Sequence, residues 1–282
     1  MFFNTLEHLL RRKLLLFALL AALAMIVLYW WGVSEASDAL EAGEMSQGPR
    51  TSPITQSDVA LAAVLTGSAA ASMLLTALAV ILCASVLPEE FETGRISLWA
   101  ALPISRSRLY LSSTSASLAC TAGLGVLLFG GITLITSFYL DFTPEAAAMA
   151  LLSMIAWLGV IWATVTTMSM VAGKIPAILI TFGLCGLASF GGGFIQLGGL
   201  VPEVAESTIY RLATGFRLVF PSDMALRGVL FGIMPSQGIV KEGMAFIGVS
   251  GTTPAWHPLY AAVWSAATTF LGLARFRRRD LP

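Results

Sequence analysis

The chain of 282 residues is 57% hydrophobic and only 11% charged, and its 16 Lys and Arg balance its 16 Asp and Glu. A soluble domain has about 25% charged residues, and the mean hydropathy here is +0.83. The charges lie between or at the edges of long apolar runs, which avoids the cost of about 2.5–3.5 kcal/mol for a charge at the bilayer centre. The composition therefore excludes an ordinary soluble protein and predicts an all-α polytopic membrane protein.

The first 13 residues favour a helix that lies in the membrane surface, because one helical face is apolar and much of the rest is polar or charged. A frayed terminus is the alternative. The next apolar run, Leu14–Trp31, is about as long as the hydrocarbon core requires and ends in an aromatic anchor. No small-residue cleavage site follows it directly, so we interpret it as a retained first span and not as a signal peptide. The apolar face of the surface helix comprises Phe2, Phe3, Leu6, Leu9 and Leu10.

Six apolar runs predict six membrane-spanning helices in a single domain that covers residues 1–282. The sixth run is short, but His257, Pro258 and Ala274 can extend it. Glycines are dense in the third and fifth runs, where they favour close helix packing, either within the chain or at a dimer face or lateral cavity. The predicted spans are Leu14–Trp31, Val59–Leu87, Leu109–Tyr139, Ala146–Ala172, Ile175–Phe194 and Leu259–Leu273.

The Lys and Arg residues predict that both termini are cytoplasmic, since cytoplasmic loops carry the excess of positive charge. Eleven lie on the side of the termini and five on the other, four of these in a long loop where they count for less. The fifth, Arg50, lies in an acidic loop with Glu35, Asp38, Glu41 and Glu44. The eleven are Arg11, Arg12, Lys13, Arg95, Arg106, Arg108, Lys174, Arg275, Arg277, Arg278 and Arg279.

The long loop at residues 195–258, on the predicted outer side, has helical apolar spacing in Val204–Leu218 and in Ser222–Ile233. Pro221 separates the two stretches, and Ser222 is a candidate N-cap for the second. Because polar residues are sparse here, we expect short helices that lie on the outer leaflet or dip back into it.

The predicted cytoplasmic segment at residues 88–108 carries the most informative pattern. It opens with an acidic cluster at residues 89–92, and a stretch that allows an apolar helix with Trp99 and Leu102 follows. Pro103 interrupts that helix before a Ser-Arg-Ser-Arg stretch. A short helix with an exposed aromatic residue between charges of both signs suits docking into a groove on a partner. A plain interfacial loop between two spans is the alternative.

This order of features, an acidic cluster, Gly94, an apolar helix and Pro-Ile-Ser-Arg at residues 103–106, resembles the cytoplasmic loop of ABC-2 type transporter permeases. Those proteins have six spans, an amphipathic helix before the first, and cytoplasmic termini. The likeness is closest to the permeases of copper-site maturation in nitrous-oxide reductase and of gliding motility. Their last outer loop often has a Pro-rich re-entrant stretch, to which Phe-Pro-Ser-Asp at residues 220–223 is similar. The family often has a Lys shortly after the Pro-x-Ser-Arg stretch, where this chain has Ser112 and Ser113.

The resemblance implies a division of labour between this chain and its partners. The chain has no Walker-type Gly-x-x-x-x-Gly-Lys-Ser/Thr loop, so a separate cytoplasmic ATPase would bind ATP and Mg²⁺, and this chain would bind no cofactor. Two permease copies, identical or sister chains, would form the path through the plasma membrane of a bacterium or archaeon, with export as the expected direction. The implied ATPase-docking residues are Glu89, Glu90, Glu92, Gly94, Arg95, Trp99, Leu102, Pro103, Arg106 and Arg108.

Three other function classes remain as alternatives. An ion-coupled secondary transporter would normally place an ionisable residue within a span or break helices in two related halves, and the sequence shows neither feature. An intramembrane enzyme needs a nucleophile or a metal cluster, but His8 and His257 lie on opposite sides of the membrane and all three cysteines lie in apolar runs. A non-transporting scaffold or membrane anchor is the third. We expect no catalytic or metal site and no nucleic-acid partner.

Overall fold

The computed structural model describes residues 13–42, 56–92, 105–144, 146–233 and 256–278, which form nine helices and contain no strand. The predicted surface helix at residues 1–13 lies outside this part of the chain, apart from Lys13. The helices are α1 (Lys13–Glu41), α2 (Gln56–Glu92), α3 (Arg106–Leu140), α4 (Ala147–Ala172), α5 (Lys174–Leu200), α6 (Pro202–Ala205), α7 (Thr208–Val219), α8 (Ser222–Ile233) and α9 (His257–Arg277).

Five of these helices, α1 to α5, are long and apolar enough to cross a membrane. Helix α9 has 21 residues, and at about 1.5 Å per residue it is about as long as a hydrocarbon core is thick. It is not among the five. The predicted all-helical, multi-pass architecture is confirmed, with five candidate spans in the described residues where the sequence predicted six.

The observed helices extend beyond several predicted spans. Helix α1 continues past Trp31 to Glu41, and α2 continues past Leu87 to Glu92. Helix α5 continues to Leu200, so residues 195–200 of the predicted outer loop are part of this helix. The apolar runs therefore mark the part of each helix that lipid can cover, while the helices themselves continue into polar sequence.

The outer surface of the bundle is apolar. Met73 is 77% exposed, Leu134 is 72% exposed and Phe138 is 79% exposed, and many other large hydrophobic side chains are also exposed. A soluble monomer rarely exposes a contiguous apolar surface of this extent. The same surface is stable when lipid tails cover it, which agrees with the composition.

Helix α4 is the centre of the bundle and packs against α2, α3, α5, α8 and α9. Its large side chains Trp157 and Ile161 are almost completely buried. Helix α9 runs parallel to α4, with Ser265 against Gly159 midway and Thr167 Oγ1 donating a hydrogen bond to the Thr268 carbonyl oxygen at 3.0 Å. Small residues on α4 allow these close approaches, which is how helices associate where lipid supplies no hydrophobic driving force.

Helix α1 lies at the edge of the bundle and runs parallel to α3. The Tyr29 hydroxyl is 2.6 Å from Thr136 Oγ1, and Trp30 Nε1 donates a hydrogen bond to the Tyr139 hydroxyl at 2.7 Å. Most of the remaining α1 surface is exposed. Polar tips of aromatic residues hold this helix in place, so α1 is the span with the smallest buried face.

Helices α7 and α8 form a hairpin that folds back against the bundle. Helix α7 runs antiparallel to α5, with Ala213 against Gly191 and Tyr210 against Gly198. Helix α8 then returns along α4 and α9, until the Gly232 carbonyl oxygen accepts a hydrogen bond from Ala146 N at 3.2 Å. The two helices coincide with the two apolar stretches of the long loop.

The tip of this hairpin reaches well into the bundle. Trp264 Nε1 donates a hydrogen bond to the Val219 carbonyl oxygen at 2.8 Å, and the Phe220 and Trp264 ring centroids are 5.7 Å apart. Trp264 lies seven residues along α9 from His257, which is about 10 Å at ~1.5 Å per residue. Ser222 is the first residue of α8 and not its N-cap, since the Pro221 carbonyl oxygen accepts from Ala225 N at 3.1 Å.

Candidate functional site

The predicted docking residues fall into two described groups and one group outside the described residues. Glu89, Glu90 and Glu92 belong to the last turn of α2. Arg106 and Arg108 belong to the first turn of α3. The residues outside the described ranges are Gly94, Arg95, Trp99, Leu102 and Pro103. The structure therefore describes the two ends of the segment and what each end contacts.

Ser105 is the N-cap of α3. Its backbone is extended, with φ −65° and ψ 139°, and its Oγ accepts a hydrogen bond from Arg108 N at 3.4 Å. Its carbonyl oxygen accepts from Leu109 N at 3.1 Å. An N-cap satisfies one of the free N–H groups at a helix start and stabilises the helix by about 1 kcal/mol. The Ser-Arg-Ser-Arg stretch thus sets the point at which the segment ends and α3 begins.

Hydrogen bonds connect this end of the segment to the end of α9. Arg106 Nη1 donates to the Arg277 carbonyl oxygen at 3.0 Å, and Arg277 Nε donates to Ser107 Oγ at 3.0 Å. The last carbonyl groups of a helix have no partner within the helix, and a cation there also interacts favourably with the helix dipole. The basic residues of α3 and α9 therefore bind each other's helix ends despite their like charge.

A cluster of six buried side chains, which we call the basic-end core, lies directly behind these contacts. It joins the end of α2, the start of α3, and the ends of α4 and α9. The Tyr110 and Phe276 rings have centroids 5.5 Å apart, and both side chains are fully buried. The members are Leu87, Leu109, Tyr110, Met170, Leu273 and Phe276.

Gly272 makes the basic-end core possible. A Cβ atom at this position would lie 2.5 Å from the Tyr110 hydroxyl oxygen and 2.7 Å from Thr167 Oγ1, closer than van der Waals contact allows. The absence of a side chain lets α3, α4 and α9 meet at one point. Because Leu87 of α2 and Leu109 of α3 both belong to this cluster, the two helices on either side of residues 88–108 share one core with α4 and α9.

We call this side of the bundle the basic end, because Arg106, Arg108, Lys174, Arg275 and Arg277 all lie there. The opposite side, where α7 and α8 fold back, is the hairpin end. The acidic residues of α1 and of the first turn of α2 lie at the hairpin end, while the three glutamates of the last turn of α2 lie at the basic end. Those at the hairpin end are Glu35, Asp38, Glu41 and Asp58.

The hairpin end contains a buried ionic cluster, which we call the arginine cluster, formed by Arg217, Asp223 and Arg227. Arg227 Nε donates to Asp223 Oδ2 at 2.7 Å, and Arg217 Nε lies 3.9 Å from the same oxygen. The Asp223 side chain is only 4% exposed. A Cβ atom on Gly192 would overlap the Asp223 carboxylate and the Arg227 guanidinium, so α5 packs directly on the cluster.

A second polar contact at the hairpin end joins α4 to the start of α9. His257 Nε2 is 3.0 Å from Ser153 Oγ, and His257 is 1% exposed. The Ser153 hydroxyl also donates to the Met149 carbonyl oxygen at 2.7 Å, so it accepts from the histidine, whose Nε2 then carries the proton. A buried histidine with a hydrogen-bonded partner is a structural feature of this helix junction.

Sequence reasoning did not predict either buried polar site. The spacing of Asp223 and Arg227, four residues apart, is a helical ion-pair signal that was present in the sequence. The approach of Arg217 to Asp223 depends on how the hairpin folds, and no spacing in the sequence indicates it. The contact between His257 and Ser153 likewise depends on the parallel packing of α4 and α9.

An open apolar groove lies between α3, α4 and α9. Its volume is about 540 Å³. Trp162 and Gly159 of α4 lie at this groove, with Leu111 of α3 on one side and Phe270 of α9 on the other. Its lining is almost entirely apolar, so it suits acyl chains or an apolar helix better than a polar solute.

Among the described residues, no three His, Cys, Asp or Glu side chains come together in a way that could hold a metal ion. Comparison of the chain with protein-family models finds no match, and comparison with curated proteins finds none either. The similarity of residues 88–108 to ABC-2 permeases therefore stays a prediction from the sequence.

Proposed function

We propose that this chain is the membrane-spanning permease subunit of an ABC-2 type ATP-binding cassette transporter. The observation that carries the proposal is the order of features in residues 88–108, which connect two helices long and apolar enough to cross a membrane. A separate ATPase binds ATP and Mg²⁺ and supplies the energy, since this chain has no Walker-type loop. The expected direction of transport is export.

The ATPase docks on residues 88–108, which lie in the cytoplasm together with both termini. The glutamates at residues 89–92 and the arginines Arg106 and Arg108 make polar contacts that orient the ATPase, while Trp99 and Leu102 enter a groove on its surface. This arrangement follows the usual division of an interface, in which buried aromatic and aliphatic anchors supply affinity and charges supply register.

The basic-end core supports a route for the energy from the ATPase into the membrane. Leu87 and Leu109, the residues directly before and after the docking segment, belong to this core, and α4 and α9 complete it. Packed interfaces move between discrete arrangements and do not deform continuously, so a push on residues 88–108 tilts α4 and α9 as a pair. Two permease copies then alternate between inward-open and outward-open states around a path at their interface.

The topology that goes with this function has six spans. Helix α9 is the sixth, residues 1–13 form a helix in the cytoplasmic surface, and the membrane is the plasma membrane of a bacterium or archaeon. Lys13 at the start of α1 and six further described basic residues at the basic end support this orientation, because cytoplasmic loops retain Lys and Arg. The six are Arg106, Arg108, Lys174, Arg275, Arg277 and Arg278.

The buried carboxylate of Asp223 does not favour ion-coupled transport. A coupling carboxylate has to exchange its proton or cation during the cycle. The Asp223 carboxylate is already hydrogen bonded to Arg227 and lies beside Arg217. It acts as the counter-ion of two arginines.

The test is co-purification of the chain with an ATPase that contains a Walker-type loop. The variant combines Trp99→Ala with Arg106→Glu, and the matched control combines Trp256→Ala with Arg211→Glu at the hairpin end, where both residues are exposed. We expect the docking variant to lose the ATPase and the control to retain it, measured as vanadate-sensitive ATP hydrolysis in the purified complex. If the docking variant retains the ATPase and its activity, residues 88–108 are not the docking site.

A further inference from the structure

The arginine cluster holds more positive than negative charge. Two guanidinium groups surround one carboxylate, and Asp223 makes its short contact with Arg227. Asp223 Oδ2 lies 2.7 Å from Arg227 Nε but 3.9 Å from Arg217 Nε, which is too far for a hydrogen bond. Arg217 therefore shares the Asp223 charge with Arg227 but makes no hydrogen bond to it.

The Arg217 guanidinium lacks a hydrogen-bond acceptor among the described residues. Its Nε atom is buried without any such partner. An unmet charged donor in a partly buried site costs more than a neutral one, so this position favours a further acceptor. The Arg217 side chain is 22% exposed and that of Arg227 is 17% exposed, so a ligand can reach part of each side chain from outside the bundle, although Arg217 Nε itself is buried.

The packing of α5 fixes the position of the cluster. Gly192 leaves room for Asp223 and Arg227 directly on its backbone, and no side chain at that position could fit beside them. Gly192 is 18 residues along α5 from Lys174, a distance of about 27 Å at ~1.5 Å per residue. The hydrocarbon core is about 30 Å thick. With Lys174 at one boundary of the hydrocarbon core, the arginine cluster lies close to the opposite boundary, from which long arginine side chains can reach the headgroup region.

We propose that Arg217 and Arg227 form a binding site for a phosphate group at the hairpin end. The planar guanidinium fork matches the oxygen atoms of a phosphate and can donate two parallel hydrogen bonds. One phosphate diester carries a single negative charge, which balances the excess charge of the cluster. The phosphate belongs either to a phospholipid headgroup or to a soluble phosphate compound. This inference does not depend on the proposed function.

The experiment measures binding to the purified full chain in an uncharged detergent by calorimetry. The probes are dihexanoyl phosphatidylglycerol, dihexanoyl glycerol without a phosphate, and inorganic phosphate. The test variant is Arg217→Gln, and Arg211→Gln is the matched control, because Arg211 lies on the same helix and is exposed. Arg217→Lys keeps the charge and removes the fork, which gives a second variant if Arg217→Gln does not fold.

We expect one equivalent of dihexanoyl phosphatidylglycerol to bind the unmodified chain and Arg211→Gln with equal affinity, while dihexanoyl glycerol does not bind. Arg217→Gln should weaken the affinity about tenfold or more, and Arg217→Lys by a smaller factor. If the lipid binds and inorganic phosphate does not, the site belongs to a lipid headgroup. If inorganic phosphate also binds, and Arg217→Gln weakens that binding, the site belongs to a soluble phosphate. Equal affinity in all variants, or no binding of either phosphate probe, would overturn the proposal.

Discussion

The two ends of the bundle are held together by different interactions. At the basic end, six apolar and aromatic side chains join four helix ends, and the charged groups lie outside this core. At the hairpin end, a buried carboxylate and two arginines join α7 to α8, and a buried histidine joins α9 to α4. Apolar contacts have no preferred direction and can repack in a second arrangement, whereas disturbing a buried ionic cluster leaves an uncompensated charge. The difference suggests that the basic end moves and the hairpin end is fixed.

Helices α4 and α9 belong to both ends. On α9, His257 and Trp264 contact the hairpin end, and Phe276 contacts the basic end. The 19 residues from His257 to Phe276 span about 28 Å at ~1.5 Å per residue. A rigid helix pair fixed at one end and pushed at the other tilts about its fixed end, which is the movement that the proposed function requires.

The largest expected effect is at the basic end. Phe276→Ala removes a fully buried ring and leaves a cavity, so the free energy of unfolding should fall by about 3–5 kcal/mol. Phe270→Ala on the same helix removes a ring that is 65% exposed, so it should change the free energy of unfolding much less. The measurement is thermal unfolding. It is monitored through the reaction of a fluorogenic thiol reagent with Cys83, which is buried in the folded chain. Equal effects of the two variants would contradict the basic-end core.

The next largest effect separates two neighbouring glycines at the hairpin end. Gly192→Ala forces a methyl group onto Asp223 and Arg227, and overpacking of this kind costs about 1–3 kcal/mol. Gly193 has open space at the same point, so Gly193→Ala should be neutral or stabilise the helix by about 0.5–1 kcal/mol. The same unfolding measurement checks both. A stable Gly192→Ala variant would show that α5 does not pack against the arginine cluster.

Sequence patterns predicted most of the helices but few of the contacts between them. Five of the six predicted spans lie within helices that are long and apolar enough to cross a membrane, because long apolar runs are a strong local signal. The fold of the hairpin against α5 and the burial of Asp223 depend on residues far apart in the chain. For the predicted docking segment, the residue types are readable from the sequence, and only the structure shows that the flanking residues Leu87 and Leu109 share one core with α4 and α9.

A smaller effect is expected from the hairpin tip. Trp264→Phe keeps the ring contact with Phe220 and removes the hydrogen bond to the Val219 carbonyl oxygen, which should cost about 0.5–1.5 kcal/mol. Trp256 is 50% exposed, so Trp256→Phe should have no measurable effect on unfolding. The rate of backbone amide hydrogen exchange at residues 216–222 should rise in Trp264→Phe and not in Trp256→Phe. Unchanged exchange would place the tip outside the bundle.

The smallest effect compares two N-caps at opposite ends. Ser105 caps α3 and Ser207 caps α7, each with its Oγ accepting a backbone hydrogen bond. Both hydrogen bonds are long, at 3.4 Å and 3.2 Å, so replacing either serine by Ala should cost about 0.5 kcal/mol, the low end for an N-cap. Only Ser105→Ala should also lower the ATPase activity of the complex, because only α3 begins at the docking segment. A similar loss of activity in Ser207→Ala would remove the functional distinction between the ends.

The central claim is that energy enters from a separate ATPase through residues 88–108. The most direct test measures the rate of ATP hydrolysis without added transport substrate. It compares the purified chain alone with the chain in complex with its ATPase. We expect no hydrolysis by the chain alone, and hydrolysis by the complex that disappears when the Walker-loop lysine of the ATPase is replaced. Hydrolysis by the chain alone, or transport in vesicles driven only by a proton or sodium gradient, would contradict the account.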